Sequence, residues 1–313
     1  MKYRGAKMSI QKYVIDDIVC EDSRHLSSFV KPDSVALTVT SPPYRNAIDY
    51  GKHIQDNNDN YRGGSMWSSL DQYLDEMKKV FDEIYKVTIP GGHCAIIIGL
   101  EVVNREIIHL PFYLITKLLN DRKWILREEI IWNKVTAGRN GVGNRFGTTI
   151  RNPYPCYYHA NVMHEHIFIL SKGETNPKAR KQEAIKHLEK LTIDDLMKRE
   201  IANSTWNIAP VPPRVLSHPC PFPEQIPWRL IQLYTHINDV VLDPFNGSGQ
   251  TTKVANYLGR HYIGVDIVPE YVELAKKRLE EPPHLSTILW VKEWGSKKKW
   301  LPKPEVKQTT LTR

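Results

Sequence analysis

Apolar positions along this chain form two kinds of pattern, short continuous runs and stretches with helical spacing. Continuous apolar runs predict buried strands at residues 13–20, 34–40, 93–100, 124–132, 166–171, 240–242 and 261–265. Spacing by three and four predicts an amphipathic helix at 70–87, with further helices around 107–120 and at 251–258. A short helix with Ser23 as its cap is predicted after the first strand. This alternation of strands and helices predicts a parallel, doubly wound α/β sheet.

Two polar segments interrupt the alternation. Residues 45–66 are rich in Asn, Asp and Gly and have no period, which predicts a long loop that is either functional or disordered. Residues 172–203 are strongly charged and have a largely helical pattern. They predict a small insertion outside the core sheet.

A third segment, residues 133–161, combines cations with aromatic residues. Tyrosines follow a glycine-rich stretch, and the basic residues include Lys134, Arg139, Arg145 and Arg151. Cations interleaved with aromatic rings suit contacts with phosphates and stacking on bases, so the segment is a candidate DNA-contacting loop. A solvated glycine-rich loop is the alternative interpretation.

The strand at 34–40 ends abruptly in a stiff turn. Pro42 and Pro43 cannot continue a central strand, and each proline forces the residue before it into extended geometry. The turn carries a small hydroxyl at Ser41 and an aromatic ring at Tyr44. In open α/β sheets, ligands bind beyond the carboxyl ends of the strands, so this turn is a candidate site.

A second strand end, at 240–243, has the chemistry of a nucleotide-like site. Asp243 ends the strand, a glycine turn follows, and the next strand ends at Asp266, 266 − 243 = 23 residues later. An acidic residue about 20 residues after such a turn binds ribose hydroxyls. The candidate residues of the turn and of the helix start are Pro244, Phe245, Gly247, Ser248, Gly249 and Thr251.

The cofactor suggested by this turn is cationic. The GxGxxG pattern that holds a pyrophosphate is absent, and a carboxylate precedes the glycines instead. S-adenosylmethionine carries an ammonium and a sulfonium, has no phosphate, and has a ribose for Asp266. A purely structural strand–helix turn is the alternative interpretation.

Composition adds a partner class and few further constraints. The 313 residues carry a net charge of +8 and have a pI near 9.1, which suggests a polyanionic partner. No apolar run is as long as a membrane span. Four widely spaced cysteines without a CxxC motif support neither a zinc site nor a disulfide framework, and a reducing cytoplasm fits them. No metal is expected, and three nearby histidines, His159, His164 and His166, are interpreted as structural.

Taken together and in this order, the two turns resemble motifs of the β class of amino-directed DNA methyltransferases. In that permuted class the catalytic motif precedes the target-recognition region, and the cofactor motif comes last. The segment with His218, Phe222 and Glu224 is similar to the family segment before the cofactor motif. Asp22 and Ser23 lie where the family has a strand end near the cofactor adenine.

The resemblance covers roughly residues 13–280 and includes further short matches. Residues 132–134 and 164–167 are similar to later motifs of the family's catalytic half. Two positions depart from the family pattern. Cys20 stands where glycine is usual, and Gln250 stands where threonine is common.

The resemblance implies a fold and a division of the chain. The implied fold is a Rossmann-like methyltransferase fold, circularly permuted, with a mixed or parallel sheet, helices on both faces and a small target-recognition insertion. Residues 1–132 would be the catalytic half. Residues 133–217 would contain the DNA-contacting loop, a returning core strand near 166–171 and the recognition insertion at about 172–217. Residues 218–285 would be the cofactor-binding half, and 286–313 a basic tail.

The resemblance also implies an activity on duplex DNA. Ser41 and the Pro42 carbonyl would accept hydrogen bonds from an exocyclic amine of a flipped base, and Tyr44 would stack on that base. The methyl group would pass directly from S-adenosylmethionine. Family members with serine first mostly modify cytosine N4, which is therefore the expected target atom, and adenine N6 is the alternative. The resemblance would also fit a role in a restriction–modification system, with a companion endonuclease that acts separately. It would further fit a monomer or homodimer and a location at the nucleoid.

Three more distant functions compete with this one. RNA or protein-amide methyltransferases also use an X-Pro-Pro-Tyr motif, but they favour asparagine in the first position. Methylation of cytosine carbon 5 needs a nucleophilic cysteine, which often follows a proline. Of the two Pro-Cys pairs, Pro219-Cys220 lies inside the segment similar to the cofactor-side motif, and Pro155-Cys156 has no recognisable partner motif. A non-catalytic DNA-binding module would not need Asp243, the glycine turn and Asp266 together.

Overall fold

A computed structural model describes residues 13–45, 67–103, 106–134, 155–156, 162–174, 203–211 and 221–285. These residues form ten strands, five α-helices and a 3-10 helix at Ser23–Ser28. The strands are β1 Asp17–Cys20, β2 Val35–Thr40, β3 Thr88–Gly99, β4 Glu101–Val103, β5 Glu106–Ile108, β6 Trp124–Asn133, β7 His164–Lys172, β8 Thr205–Asn207, β9 Val240–Asp243 and β10 His261–Asp266. The helices are α1 Leu70–Val87, α2 Leu110–Leu119, α3 Gln225–Tyr234, α4 Gln250–Tyr257 and α5 Pro269–Arg278.

Eight of these strands form one twisted sheet in the order β1-β10-β9-β2-β3-β7-β6-β8. The first five strands in this order, β1, β10, β9, β2 and β3, run parallel to one another. Strand β7 runs antiparallel to both β3 and β6, and β8 is parallel to β6 at the edge. The predicted doubly wound α/β sheet is confirmed, and its parallel part holds both candidate turns.

Strand β2 lies in the middle of the sheet and is covered on both faces. All six of its residues are buried, including Thr38 and Thr40. Val35 joins the core on one face, whereas Leu37 and Val39 join the core on the other, because the strand register shifts between Val35 and Leu37. Burial on both faces is typical of a strand inside the parallel part of an α/β sheet.

Helices cover both faces of the sheet. Helices α1 and α2 pack on one face, where Phe81 and Leu114 belong to the same core as Ile96 of β3. Helices α3 and α4 pack on the other, where Leu230 and Ala95 belong to a second core. Helix α5 packs against β1 at one end of the sheet. No helix among these described elements is long and apolar enough to cross a membrane.

Local differences from the sequence predictions have identifiable causes. The cap of the first short helix is Asp22, whose carboxylate accepts from Arg24 N, and not Ser23. Strand β3 begins five residues before the predicted start at residue 93. The register partners of Val35 and Leu37 are Thr88 and His93, so the proline and glycines between them form an irregularity within the strand.

Two short elements have no clear signal in the sequence. The β4–β5 hairpin occupies the start of the predicted second helix, which begins instead at Leu110. Strand β8 lies within the predicted recognition insertion, and it pairs with β6 at Trp132–Trp206. Trp206 is fully buried and lies under the Arg229 guanidinium, so it serves as a packing residue.

Candidate active site

The two candidate turns meet at the point where the strand order reverses. Strands β2 and β9 are adjacent and parallel, so their carboxyl ends lie side by side. The Thr40 hydroxyl donates to Asp243 Oδ1 at 2.7 Å, and the Thr251 hydroxyl donates to the Val39 carbonyl at 3.0 Å. Residues about 200 positions apart in sequence are thus joined by direct bonds, at the place where open α/β sheets bind ligands.

The turn at Ser41–Tyr44 is held at both ends. Pro42 is buried, whereas Ser41, Pro43 and Tyr44 are half-buried and remain partly open to a ligand. Thr40 fixes the start of the turn through Asp243.

The far end of this turn is held by an ion pair. Arg45 donates from Nε and a terminal nitrogen to Glu101 Oε2, at 3.2 Å each. Glu101 is buried, and its other carboxylate oxygen has no hydrogen-bond partner within the described part of the chain. The sequence analysis did not single out Arg45 or Glu101, although Arg45 directly follows the motif. A buried ion pair in this place restrains the turn that carries Ser41.

The glycine turn after β9 is shaped by positive backbone angles and close packing. Gly247 has φ of 47° and Gly249 has φ of 79°, a region that side chains disfavour. A Cβ atom on Gly249 would lie 2.8 Å from Ala275 Cβ, because α5 packs directly on the turn. The glycines therefore serve both the backbone geometry and the approach of this helix.

Asp266 braces the same turn from the neighbouring strand. Its Oδ2 accepts from Gly247 N at 2.8 Å, and its Oδ1 accepts from Val268 N at 3.0 Å. Asn246 N donates to the Val265 carbonyl at 2.9 Å. The two carboxylate oxygens have about four lone-pair sites, so the backbone bonds, which include one from Ile267, still leave acceptor capacity for a ligand.

Both aspartates are buried acids with raised pKa values. Burial raises the pKa of Asp243 to about 6, although hydrogen bonds from Thr40 and Phe245 N act in the opposite direction. Burial raises the pKa of Asp266 to about 6 as well, against the backbone bonds that it accepts. Among the described residues, neither aspartate forms an ion pair. Two uncompensated acidic groups beside one turn favour a cationic ligand.

Asp22 and Ser23 lie beside this site, and each is bound to the protein. The Ser23 hydroxyl donates to the Pro244 carbonyl at 2.5 Å, which ties the first strand end to the glycine turn. The Asp22 carboxylate accepts from Arg24 Nε at 2.9 Å. Although burial acts to raise it, hydrogen bonds from Arg24 hold the pKa of Asp22 below its usual range.

Phe222 and Glu224 are both buried, but they have different surroundings in the structure. Phe222 is mostly buried at the start of the cofactor half, beside α3 and α4. Glu224 is 3% exposed, and its carboxylate accepts from Lys253 Nζ at 2.9 Å, from Arg278 and from His284 N. The observed contacts of Glu224 are therefore with protein groups, none of which the sequence pattern indicates.

The candidate DNA contacts divide in the same way. Lys134 is half-buried, lies over the Trp132 ring, and pairs with Glu165 Oε1 at 2.5 Å. Its charge is thus balanced within the protein. The remaining candidates lie outside the described residues, namely His218 of the cofactor segment and Arg139, Arg145 and Arg151 of the basic loop. The same holds for most of the predicted insertion.

Comparison with known proteins identifies the family. The model of a family described as DNA methylase, of the N6/N4 type, matches residues 35–277. The chain belongs to the N6/N4 DNA methylase family. This DNA methylase therefore modifies an exocyclic amine and uses S-adenosylmethionine as its methyl donor. The resemblance seen in the motifs is confirmed.

Relatives of this DNA methylase are bacterial and archaeal. It is 26% identical to the Type II methyltransferase M.MjaI of Methanocaldococcus jannaschii over 303 residues, which is 87% of this chain and 96% of that one. It is 27% identical to M.SmaI of Serratia marcescens over 292 residues, with coverage of 84% and 90%. It is 28% identical over 279 residues to the Type II beta methyltransferase M.BslI of Bacillus sp. (strain NEB-606), covering 82% of this chain but only 27% of that longer protein.

Solved structures share its fold. The putative DNA modification methylase TTHA0409 of Thermus thermophilus superposes with a TM-score of 0.61 at 25% identity, covering 84% of this chain and 93% of that one. The PvuII DNA methyltransferase, described as cytosine-N4-specific, superposes with a TM-score of 0.61 at 17% identity, with coverage of 90% and 92%. At that identity the PvuII likeness shows the fold alone. The predicted methyltransferase fold is confirmed.

The residues of the glycine turn fit S-adenosylmethionine. Asp243 and Asp266 offer buried negative charge, and the buried Ser248 Oγ and Asn246 Nδ2 have no hydrogen-bond partner among the described residues. A ligand with cationic groups and ribose hydroxyls would use these carboxylates and polar atoms. We found no cluster of potential metal ligands in the described part of the chain.

We expect cofactor affinity to fall as the pH falls through about 6. Protonation of Asp243 and Asp266, whose pKa values are raised to about 6, removes the negative charge that favours a cationic ligand. Binding then releases protons, and the affinity changes by roughly tenfold per pH unit for each proton released. Calorimetric titration with S-adenosylmethionine between pH 5 and 8, in buffers of different ionisation enthalpy, measures both quantities.

Stability of the ligand-free protein should change in the opposite direction over this range. A carboxyl whose folded pKa exceeds its unfolded value binds its proton more tightly in the folded state, so these two groups favour folding more at pH 5 than at pH 7. Thermal unfolding at each pH serves as the control. Affinity that does not change between pH 5 and 8 would contradict the assignment of these carboxylates to the cofactor.

Proposed function

We propose that this DNA methylase transfers a methyl group to the N4 amine of a cytosine flipped out of duplex DNA, within a restriction–modification system. The observation that carries the proposal is the bond between Thr40 and Asp243, because it brings Ser41 beside the glycine turn. A serine in the first position of the motif favours cytosine N4.

Ser41 and Pro42 act on the amine of the base. That nitrogen is a poor nucleophile because its lone pair is delocalised into the ring. The Ser41 Oγ and the Pro42 carbonyl accept the two amino hydrogens, which draws the nitrogen toward tetrahedral geometry and stabilises the charge that develops on it. The prolines, Thr40 and the Arg45–Glu101 pair hold these acceptors in place before the base arrives, so little reorganisation is needed.

Tyr44 and the glycine turn complete the pocket. The ring of Tyr44, which is half-buried, stacks on the flipped base. Asp243 lies nearest the catalytic turn and favours the cationic end of the cofactor, and Asp266 accepts from the ribose. S-adenosylmethionine, when bound, would supply an electrophilic methyl group, whose bond to sulfur breaks to leave a neutral thioether, and the methylated amine would release one proton to water. The remaining cofactor contacts that we propose are Asp22, Ser23, His218, Phe222, Pro244, Phe245, Gly247, Ser248, Gly249 and Thr251.

Glu224 is best placed in an indirect role. Its carboxylate is buried and holds Lys253 and Arg278, so we assign it to the support of the cofactor half. Lys134 is paired with Glu165, so the DNA contact that we propose for it requires a phosphate to replace Glu165 as its partner. Arg139, Arg145 and Arg151 are proposed as phosphate contacts on their residue type and sequence context alone.

Adenine N6 in DNA is the second candidate target, because the family includes both positions. A neutral hydroxyl can donate as well as accept, so Ser41 by itself is compatible with either ring. The test is to incubate the purified protein with S-adenosylmethionine and random duplexes, and then to identify the modified nucleoside by mass spectrometry. N4-methylcytosine is the expected product, and sequencing of the modified duplexes gives its context.

Controls separate the competing substrates. The same assay with RNA and with a protein extract should show no incorporation of methyl groups. N6-methyladenine as the sole product would overturn the cytosine proposal and leave the family unchanged. A product in RNA or protein but none in DNA would overturn the proposed substrate.

A further inference from the structure

We propose that Gln250 and Arg278 form a clamp that positions both walls of the cofactor pocket, and that they control cofactor affinity without touching the cofactor. This inference rests on the proposed placement of S-adenosylmethionine at the glycine turn. Gln250 is one of the two positions where this chain departs from the family pattern, which commonly has threonine there. The clamp therefore concerns this protein in particular.

Gln250 joins two segments of the pocket through the two ends of one amide. It is 4% exposed and is the first residue of α4, directly after the glycine turn. Its Nε2 donates to the Phe222 carbonyl at 2.8 Å, and its Oε1 accepts from Arg278 at 2.5 Å. A threonine side chain is too short to make both bonds from this position, since it has one hydroxyl on Cβ.

Arg278 fastens the glycine turn itself. It ends α5, is 5% exposed, and donates to the Ser248 carbonyl within the turn as well as to Gln250. Its other terminal nitrogen donates to Glu224. One guanidinium thus holds the turn, the first residue of α4 and the segment that carries Phe222. Its planar set of donors suits such a junction better than an ammonium would.

The charges around the clamp balance, which allows it to be buried. Glu224 accepts from both Arg278 and Lys253, and Glu281 Oε2 lies 3.3 Å from Lys253 Nζ. Two cations therefore face two carboxylates, three of the four groups being almost fully buried. A buried network with every charge matched holds a single arrangement, because any displacement leaves a buried charge without its partner.

The clamp should therefore affect the affinity for the cofactor and not the methyl-transfer step. The hydrogen bonds of the clamp go to the Ser248 and Phe222 carbonyls and to Glu224, and not to Ser41 or Pro42. Loosening it should disturb the cofactor pocket but not the acceptors of the base amine. We therefore expect Gln250 and Arg278 to affect the KM for the cofactor and to have little effect on kcat at saturation.

The experiment compares Gln250→Thr, Gln250→Glu and Arg278→Met with the wild-type protein. Gln250→Thr and Arg278→Met should each raise the Kd and KM for S-adenosylmethionine about tenfold, the scale of a lost buried hydrogen bond, with kcat within about threefold. Gln250→Glu keeps the acceptor for Arg278 and loses the donor to the Phe222 carbonyl, so its Kd should fall between those of the wild type and Gln250→Thr. The KM for DNA should not change.

The matched control is Lys172→Met at a different part of the sheet. Lys172 also donates to two backbone carbonyls, those of Tyr85 and Thr88, and pairs with Asp33. This variant should unfold at a lower temperature but bind the cofactor with wild-type Kd. A tenfold rise in the Kd of Lys172→Met would show that any loss of stability weakens binding, and it would overturn the clamp.

A further comparison separates failure of the clamp from failure of the proposed site. If Gln250→Thr and Arg278→Met bind S-adenosylmethionine with wild-type Kd while Asp243→Ala does not, the clamp is wrong and the cofactor placement stands. If Asp243→Ala also binds normally, the cofactor does not lie at this turn. A fall in kcat at saturation larger than the rise in KM would equally overturn a positioning role.

Discussion

Ser41→Ala should abolish most methyl transfer and leave cofactor binding intact. The hydroxyl accepts one amino hydrogen of the target base, and the loss of one preorganised group of this kind lowers kcat by roughly 10²- to 10³-fold. The change removes one oxygen from a half-buried side chain, so the fold should be retained. Transfer of a labelled methyl group under saturating conditions, together with calorimetric titration of S-adenosylmethionine, measures both effects.

The matched control is Ser34→Ala, just before the other end of the same strand. The Ser34 hydroxyl is exposed and donates to the Lys31 carbonyl at 2.6 Å, remote from the carboxyl end of β2. This variant should transfer methyl groups at the wild-type rate. Full activity of Ser41→Ala, or equal losses in the two variants, would refute the role assigned to Ser41.

Asp243→Ala should lose both cofactor binding and transfer. Removing one partner of a buried charged contact costs roughly 10²- to 10³-fold in affinity. The alanine also removes the acceptor for Thr40 and Phe245 N, so the two turns lose one of the direct bonds that join them. Calorimetric titration and the transfer assay should therefore fail together, in contrast to Ser41→Ala.

Two variants separate the charge of Asp243 from its bonds. Asp243→Asn keeps an oxygen for the Thr40 hydroxyl and removes the charge, whereas Thr40→Val keeps the charge and removes the hydroxyl. Because burial raises the pKa of Asp243 to about 6, its ionised form destabilises the ligand-free fold at neutral pH. Asp243→Asn should consequently unfold at no lower temperature than wild type at pH 7.5, yet bind the cofactor weakly. Wild-type affinity in Asp243→Asn would show that charge is not what the cofactor needs.

Elements with strong periodicity were predictable to the residue. Helix α1 runs from Leu70 to Val87, as its apolar spacing predicts, and Ser69 caps it through Gln72 N. The buried strands β2, β9 and β10 also lie where continuous apolar runs predict them. The short β4–β5 hairpin and β8 were not predictable, because three residues carry too little pattern to outweigh their neighbours.

The partners of buried charged side chains, in contrast, were not predictable from the sequence. Glu224 and Lys134 have the residue types of binding groups, yet the structure pairs Glu224 with Lys253 and Arg278, and Lys134 with Glu165. Such pairing depends on which distant segments meet, and a motif contains no information about that. Gln250 illustrates the same point, since its sequence position shows a departure from the family but not the two bonds that explain it.

By itself, the sequence determined the fold class, the family and the two turns that carry the chemistry, because each of these depends on local order along the chain: apolar runs, prolines, glycines and the spacing of aspartates. Only the tertiary structure decided that the turns form one site. That outcome depends on β2 and β9 being neighbours, which places Thr40 against Asp243 across about 200 residues of chain. Burial, which raises the pKa values of Asp243 and Asp266, likewise exists only once the sheet has formed around them.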